Sequence, residues 1–387
     1  MGWTHRDRIL AALNHEMADR VPMDLGGAEF TSLTYPAYEK LKVHLGLEHE
    51  TKLMSIINSV AIPDESVLQL FDIDTRCVLP GAYEGGCDRW PDENVHVDIF
   101  DVTWRRSVGT DDVHFIHVDG PFYEGTPTVA AVEAFDWPDP NNPGLLKGVS
   151  ERVRQIKASG DYAICLYLPG GVLHRGYAMR GFETFLKDLY KNRDFVCRLM
   201  DKLADFWVGV AENVMRAVGP ENVDVVFMGE DLGTQNGSMF DPDAIYAHLI
   251  KPHHRRMVET VKSDADARVC FHCCGSAYHF IDHLIDIGVD ALNPVQVTAK
   301  NMEPERLKAE FGERISFWGG INTQRILPHG TPDEVRAETR RIIDILGRDG
   351  GYILNPVHNI QPEVPSENVV AMFNEGRTYP YRRKAAW

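Results

Sequence analysis

The chain has 387 residues, of which 44% are hydrophobic and 25% are charged, and its net charge is −17 at pH 7. This acidic balance argues against a nucleic-acid partner, because lysine and arginine are needed to neutralise phosphates. No run approaches the ~20 apolar residues that cross a bilayer, and the first residues lack the apolar core of a signal peptide. Seven cysteines, clustered in part at positions 270, 273 and 274, indicate reduced thiols. We therefore expect a cytoplasmic protein that binds neither membrane nor nucleic acid.

Eight short apolar runs recur along the chain, separated for the most part by helical stretches. Most are continuously apolar rather than alternating, which is typical of parallel strands that are buried on both faces. Eight such strands with helices between them favour a barrel over an open sheet. We therefore predict an α/β fold, a (β/α)8 TIM barrel that forms a single domain over residues 1–387. The predicted strands are residues 21–25, 75–79, 162–168, 223–228, 268–272, 290–293, 315–318 and 352–355.

Local signals predict where several helices begin and where the pattern is interrupted. Residues 241–243 and 331–334 each place a proline in a first helical turn, with acids that suit the positive end of the helix dipole. Residues 4–7 resemble a capping box. The helix that begins near residue 241 is expected to kink at Pro252. Residues 86–118 predict antiparallel strands inserted after the second barrel strand.

Polar residues follow many of the predicted strands at the point where each strand ends. In (β/α)8 barrels these ends share one rim, and the rim carries the active site. We therefore expect one polar site to which several loops contribute. The candidates are Glu230, Asp231 and Gln235 after the fourth strand, His272, Cys273 and Cys274 after the fifth, Trp318 and Asn322 after the seventh, and His358 and Asn359 after the eighth.

His272 and Cys274 form the sharpest metal-binding signal in the chain. In an extended segment residues i and i+2 project to the same side, so an imidazole and a thiolate can reach one cation. Zinc accepts both ligand types and keeps an open position when three protein ligands bind it. His358 or Glu230 would supply a third ligand from another loop. The alternative is that buried cysteines and a hydrogen-bonded histidine complete the strand.

Carboxylates and histidines near the same rim are candidate acid–base groups. Glu230 or Asp231 would act as a general acid or base if its neighbour raised its pKa. Alternatively, Asp231 caps a turn and Glu230 is solvated. His358 is a candidate ligand, proton donor or structural hydrogen-bonding residue. The pair His253-His254 lies in a helical stretch away from the rim and is interpreted as structural.

Several segments resemble the uroporphyrinogen-decarboxylase-like family, and together they span nearly the whole chain. They are residues 6–15, 19–22, 272–275, 327–332 and 350–359. The family contains uroporphyrinogen decarboxylases and corrinoid-dependent methyltransferases. True decarboxylases resemble one another in an arginine-rich segment soon after the first strand, which holds the carboxylates of the substrate, whereas residues 24–32 here contain no arginine. The resemblance therefore favours methyl transfer and leaves decarboxylation as an alternative.

The methyltransferase branch holds zinc with an H-x-C-G motif after strand five and a cysteine after strand eight. His272, Cys274 and Gly275 are similar to that motif. His358 stands at the strand-eight position instead of cysteine, and imidazole is itself a good zinc ligand. The resemblance thus implies zinc held by His272, Cys274 and His358.

Three further segments resemble the group near anaerobic O-demethylases. They are residues 231–235, 318–324 and 358–361. The resemblance implies methyl transfer from a small donor, an aromatic methyl ether, to the Co(I) corrinoid (cobalamin) of a partner protein. The alternatives are transfer from a corrinoid protein to a thiol acceptor, and a non-catalytic barrel that docks a corrinoid carrier. A homodimer is the assembly considered.

The resemblance and the rim positions together assign a role to each candidate residue. Catalysis is assigned to Glu230, Asp231 and His358, of which His358 is also a metal ligand. Aromatic side chains at the rim would line an apolar donor pocket, and their alternative is ordinary packing. The predicted donor-binding residues are Phe30, Tyr83, Tyr167, Gln235, Trp318, Asn322 and Asn359.

Overall fold

A computed structural model describes residues 2–107, 114–168, 170–263 and 265–381. Within these residues the largest sheet has seven strands, all parallel, and each strand pairs with the next one along the chain. Because the strands run in one direction, their carboxyl ends meet at one edge. The strands are Thr75–Val78, Ala163–Tyr167, Val225–Gly229, Arg268–His272, Ala291–Asn293, Ser316–Trp318 and Tyr352–Ile353.

The first of the eight predicted strands forms an isolated bridge instead of a strand. Met23 pairs in parallel with Leu354, and the N–H of Leu354 donates to the carbonyl of Pro22 at 2.8 Å. On its other side, the carbonyl of Met23 accepts a hydrogen bond of 2.9 Å from the N–H of Asp74. The prediction of a full strand was wrong here, because Pro22 has no N–H to donate and the chain turns at Gly26, where φ is 78°.

Alternate side chains of the parallel strands form a cluster of their own. Successive residues of a strand point to opposite faces, and one face of each of the seven strands contributes to this cluster, which also contacts the first helix through Ile9 and Leu13. The opposite faces pack in a larger cluster with the surrounding helices. Burial on both faces explains the continuous apolar runs in the sequence. The buried strand residues of the first cluster are Ala163, Cys165, Tyr167, Val225, Phe227, Cys270, Ala291, Trp318 and Ile353, and the partly buried Cys77 of the strand Thr75–Val78 packs against them.

Helices lie between successive parallel strands, as the sequence pattern predicts. The α-helices are His5–Leu13, Tyr35–Leu45, Glu65–Leu70, Val129–Ala134, Val149–Ser159, Val172–Arg180, Phe182–Lys191, Arg193–Val218, Lys251–Ser263, Ile281–Asp286, Pro304–Phe311, Ile326–His329, Pro332–Leu346 and Ser366–Thr378. Short 3-10 turns occur at Glu29–Thr31, Pro143–Leu146, Pro220–Asn222 and Tyr278–Phe280. In the described part of the chain, no helix is both long and apolar enough to cross a membrane.

The predicted kink near Pro252 is a change of helix type. Asp241 caps the helix by accepting from the N–H groups of Asp243 and Ala244 at 2.9 and 2.8 Å. The segment Pro242–Ile250 is a π-helix, and Lys251–Ser263 continues as an α-helix. Because Pro252 cannot donate to the preceding turn, the regular α-helical bonding pattern is interrupted here.

A four-stranded antiparallel sheet is inserted between the first two parallel strands. Its strands are Arg89–Asp92, Val95–Val97, Thr103–Arg106 and Phe115–Asp119, paired in chain order. Val113, which belongs to the predicted strand region, lies outside the described residues. Two smaller antiparallel pairs are Lys52–Ser55 with Val60–Ile62 and Gly233–Thr234 with Gly237–Ser238.

Asp74 connects the first helix to the sheet through a buried ion-pair network. Its carboxylate is fully buried and lies 2.6 Å from Nη1 of Arg20 and 2.8 Å from Nδ1 of His5. It also accepts a hydrogen bond of 2.7 Å from the N–H of Met23. These contacts hold the bridge at Met23 between the first and last parallel strands.

We expect replacement of Asp74 by alanine to lower the free energy of unfolding by about 3–5 kcal/mol, because it removes the fully buried one of the two carboxylates that pair with Arg20, the other being Asp72, and also the acceptor of the Met23 N–H. The measurement is denaturant-induced unfolding followed by circular dichroism. The exposed pair of Lys187 and Glu183 provides a control, since Lys187→Ala should change stability by under about 1 kcal/mol. Equal, small effects of both variants would contradict the assignment.

Candidate active site

A pocket of about 560 Å³ lies at the carboxyl ends of the parallel strands, and the inserted antiparallel sheet forms part of its wall. This position is where parallel α/β folds place their ligands. The volume suits a small organic molecule. Its aromatic lining is Phe30, Trp104, Tyr167 and Trp207, and its titratable lining is Glu29, His96, Asp98, His114, His174, Arg175, Asp231, His272 and His358.

The structure brings His272, Cys274 and His358 together at this edge. One ligand atom from each of the three residues lies within 4.8 Å of the other two. The Sγ atom of Cys274 is 3.1 Å from Nε2 of His272, which agrees with the common direction expected for residues i and i+2. One thiol and two imidazoles form a donor set that zinc accepts.

Asn293 fixes the orientation of the His272 ring. Its amide nitrogen donates to the carbonyl of Trp318 at 3.2 Å, so its Oδ1 atom faces His272. Nδ1 of His272 lies 2.7 Å from that oxygen and donates to it. Nε2 therefore keeps its lone pair and is the atom that faces Cys274. A second partner of this kind is the usual support for a metal-binding histidine.

Burial sets the protonation states of the three candidate ligands. It lowers the pKa of His272 to about 4 and also lowers the pKa of His358, so both imidazoles are neutral near pH 7. Burial, and then the charge of Asp231, raise the pKa of the Cys274 thiol well above its ordinary value. A thiolate at this position therefore requires a cation beside it.

Asp231 lies in the pocket between the candidate ligands and His174. Its Oδ1 atom accepts from the backbone N–H of Cys274 at 2.8 Å, and Oδ2 lies 3.5 Å from Nε2 of His174. Burial acts to raise the pKa of Asp231, but the contact with His174 and the nearby imidazoles hold it well below its usual range. Asp231 is therefore an ionised carboxylate at the centre of the site.

Glu230 does not line the pocket. Its side chain is buried, and its Oε1 atom accepts from the backbone N–H groups of Leu173 and His174, the latter at 2.8 Å. Its Oε2 atom lies 2.7 Å from Nε2 of His254. The carboxylate thus holds the first turn of the helix Val172–Arg180. The expectation of a solvated or substrate-facing Glu230 is corrected, and His254 lies directly beneath the rim rather than away from it.

Phe30, Tyr167 and Asn359 line the pocket, as predicted for donor-binding residues. The ring of Phe30 stacks on His272 with centroids 3.8 Å apart, and it meets Tyr167 edge to face at 5.4 Å. The hydroxyl of Tyr167 donates to Oε2 of Glu29 at 3.1 Å. An apolar wall therefore adjoins the candidate metal ligands.

The other four predicted donor-binding residues lie outside the pocket. The hydroxyl of Tyr83 accepts from the N–H of Asp139, and Gln235 bonds to Gln296. Trp318 is fully buried and its indole N–H donates to Asp24 at 2.9 Å. Asn322 caps a turn by accepting from the N–H groups of Gln324 and Arg325. In each case the polar group of the side chain bonds to another part of the protein.

The strand-end pattern did not identify several lining residues as functional. His174 and Arg175 follow a strand-end Gly-Gly pair, so their location was visible in the sequence, but their role was not. Arg175 is paired with Asp98 of the inserted sheet and lies over the ring of Phe100 at 4.7 Å. No local sequence pattern indicated Asp98 or Glu29 as pocket residues, because the tertiary fold alone brings them to the pocket.

Known proteins similar to this chain include both decarboxylases and methyltransferases. The uroporphyrinogen decarboxylase of Pseudomonas aeruginosa (strain UCBPP-PA14) is 23% identical over 298 residues, covering 74% of this chain and 79% of that protein. The uroporphyrinogen decarboxylase of Thioalkalivibrio sulfidiphilus (strain HL-EbGR7) is 25% identical over 382 residues, covering 95% and 96%. A methylcobamide:CoM methyltransferase of Methanosarcina acetivorans is 20% identical over 199 residues, covering 51% and 54%.

The fold is similar to that of a solved methyltransferase from Methanosarcina mazei. The two superimpose with a TM-score of 0.68 at 16% sequence identity, covering 97% of this chain and 99% of the other. The family model described as uroporphyrinogen decarboxylase (URO-D) matches residues 102–379. The match spans well over half of the sequence, and the chain therefore belongs to the uroporphyrinogen decarboxylase family.

Proposed function

We propose that this protein is a corrinoid-dependent methyltransferase of the O-demethylase type. It moves a methyl group from a small methylated donor, an aromatic methyl ether, to the Co(I) corrinoid of a partner protein. The observation that carries this proposal is the group of His272, Cys274 and His358, of which the two histidines line the pocket. The similarity to a methylcobamide:CoM methyltransferase of Methanosarcina acetivorans supports methyl transfer and corrinoid chemistry.

The donor set fits zinc, which His272, Cys274 and His358 would hold. Bound there, zinc supplies a Lewis acid that polarises the ether oxygen. Asn293 keeps the metal-facing nitrogen of His272 unprotonated, and Asp231 holds the backbone of Cys274 through its N–H group. These residues orient the ligands before any donor binds.

The apolar wall orients the methyl donor. The ring of Phe30 lies next to His272, and the ring of Tyr167 adjoins Phe30. Such surfaces suit an aromatic ring. Asn359, whose amide nitrogen donates to the backbone carbonyl of Glu29, joins the strand-eight loop to this wall. The donor's ring would thus pack beside the candidate metal ligands, with its ether oxygen towards them.

Uroporphyrinogen decarboxylation is the second candidate function, and the charge of the pocket counts against it. Among the described residues that line the pocket, Arg175 is the one guanidinium and there is no lysine. Asp98 already pairs with Arg175, while Glu29 and Asp231 add negative charge. A multiply carboxylated tetrapyrrole would therefore meet carboxylates rather than cations. Transfer from a corrinoid to a thiol remains an alternative use of the same ligand set.

We also propose that the sheet closes into a (β/α)8 barrel and that residues 1–387 form one domain. The bridge at Met23 to Leu354 and the hydrogen bond from Asp74 join its two edges, and alternate strand side chains share one cluster. A cytoplasmic location is proposed on the support of seven unpaired cysteines. The homodimer stays a prediction.

We predict that Cys274→Ala lowers zinc affinity at least 100-fold, because the variant loses a direct ligand. Changes to residues that only support the ligands already lower metal affinity 10- to 100-fold. Cys273→Ala is the matched control, since its sulfur is fully buried and accepts from the N–H of Leu232 at 3.4 Å. Metal content after dialysis against a chelator series is the measurement. His358→Cys should retain zinc and His358→Ala should lose it. Equal zinc loss in the Cys273 and Cys274 variants would contradict the ligand assignment.

We predict methylation of cob(I)alamin when the zinc-loaded protein is mixed with a panel of methoxyarenes. The measurement is the absorbance change of the reduced corrinoid, together with chromatographic detection of the phenol product. His272→Ala should lower the rate at least 100-fold, because the ether oxygen loses its polarising group. Two parallel assays test the alternatives: demethylation of methylcobalamin by thiols, and carbon dioxide release from uroporphyrinogen. Activity confined to either of these would contradict the proposed reaction.

A further inference from the structure

His174 lines the pocket, and its Nε2 atom lies 3.5 Å from the ionised carboxylate of Asp231. It lies in the first turn of the helix Val172–Arg180, where its backbone N–H donates to Oε1 of Glu230 at 2.8 Å. The ring of Tyr177 meets it edge to face at 5.4 Å. With 38% of its side chain exposed, His174 is held in place and still accessible to a bound molecule.

The charges around His174 favour its protonated form. Burial and Arg175 act to lower the pKa of His174, and a helix N-terminus also disfavours a cation. The contact with Asp231 and the charges of Asp231 and Glu230 act in the opposite direction and raise its pKa above the ordinary value of 6.5. Tyr177 also faces the ring, and it stays neutral because burial raises its pKa. His272, which is neutral near pH 7, is a further titratable group that interacts with His174.

We propose that His174, oriented by Asp231, is the general acid that protonates the leaving oxygen of the methyl donor. This inference rests on the proposed transfer from a methyl ether. The C–O bond breaks with its electron pair left on oxygen, and the methyl group is taken by the two-electron nucleophile Co(I). The oxygen receives the proton of His174 and leaves as a neutral hydroxyl, and solvent returns a proton to the imidazole.

The geometry favours His174 over the carboxylates as the proton source. Both oxygens of Glu230 bind groups beneath the pocket, namely the helix N-terminus and His254. Asp231 is held ionised and has no proton to give near pH 7. Nε2 of His174 lies 3.5 Å from Oδ2 of Asp231 and 3.3 Å from the backbone nitrogen of Asp231, so both the carboxylate and the backbone N–H of Asp231 face it. Within the described residues no hydrogen bond involves Nδ1, and Nδ1 is the nitrogen that the proposal directs to the leaving oxygen.

A series of para-substituted anisoles tests this role, because general acid catalysis matters most for the poorest leaving group. Rates of cob(I)alamin methylation are compared for 4-nitroanisole, anisole and 4-methylanisole, with wild type and His174→Gln. The variant should lose about 100-fold or more in kcat with 4-methylanisole and under about tenfold with 4-nitroanisole. Asp231→Asn should likewise lower kcat more with 4-methylanisole than with 4-nitroanisole.

The pH profile gives a second readout that a structural role would not change. The wild-type kcat should fall as pH rises through the raised pKa of His174, because the acid loses its proton, and His174→Gln should not show this fall. The control is His117→Gln, which alters another neighbour of Tyr177 (5.7 Å) outside the pocket. It should keep both the wild-type profile and the wild-type dependence on the leaving group.

The outcomes separate this inference from the function on which it rests. If wild type is active and His174→Gln slows all anisoles equally while zinc content and circular dichroism match wild type, the general-acid role is overturned and the methyltransferase stands. If wild-type protein methylates cob(I)alamin with none of the donors, the proposed function fails and the inference fails with it.

Discussion

The register of three neighbouring strands is the constraint on which the candidate site depends. His272 pairs with Asn293 on one side and with Gly229 on the other, so the three strands end level. A side chain at Gly229 would come within 2.2 Å of the His272 carbonyl oxygen, and glycine is therefore required there. This close approach places Asp231, two residues after Gly229, next to the candidate metal ligands. A shift of one residue would turn His272 to the other face of the sheet.

Two imidazole environments coexist in one pocket, and their difference has a physical cause. His272 is buried, and the loss of solvent lowers its pKa to about 4 although the carboxylate of Asp231 lies 3.9 Å from its Nε2 atom. His174 is partly exposed beside the ionised Asp231, and its pKa rises. Neutral histidines suit metal binding, and a protonated histidine suits proton donation. Environments that separate titratable groups in this way assign acid and base roles in an active site.

Local sequence rules predicted the features that depend on neighbouring residues. Seven of the eight apolar runs are strands, and the i, i+2 spacing of His272 and Cys274 places their ligand atoms 3.1 Å apart. The strand-end rule also predicted that His358 lies at the same edge, and its ligand atom is close to those of His272 and Cys274.

The rest depended on distant partners that a single sequence does not show. Trp318 turned inward because Asp24, 294 residues away, accepts from its indole N–H. The carboxylate of Glu230 lies beneath the rim because it bonds to His254 and to a helix N-terminus. The first predicted strand is only a bridge, because Pro22 has no N–H to donate. This cause is local, but the continuous apolar run still predicted a full strand. Such tertiary contacts decide the direction of a side chain at a strand end. Phe30 and Tyr167 point into the pocket, whereas Tyr83 lies outside it.

The central claim is that one thiolate and two imidazoles of this chain bind zinc at the carboxyl edge of the sheet. X-ray absorption at the zinc edge measures the ligand set of the loaded protein directly. We expect one sulfur ligand at about 2.3 Å and two imidazole nitrogens at about 2.0–2.1 Å. A spectrum with two sulfur ligands, or with none, would contradict it.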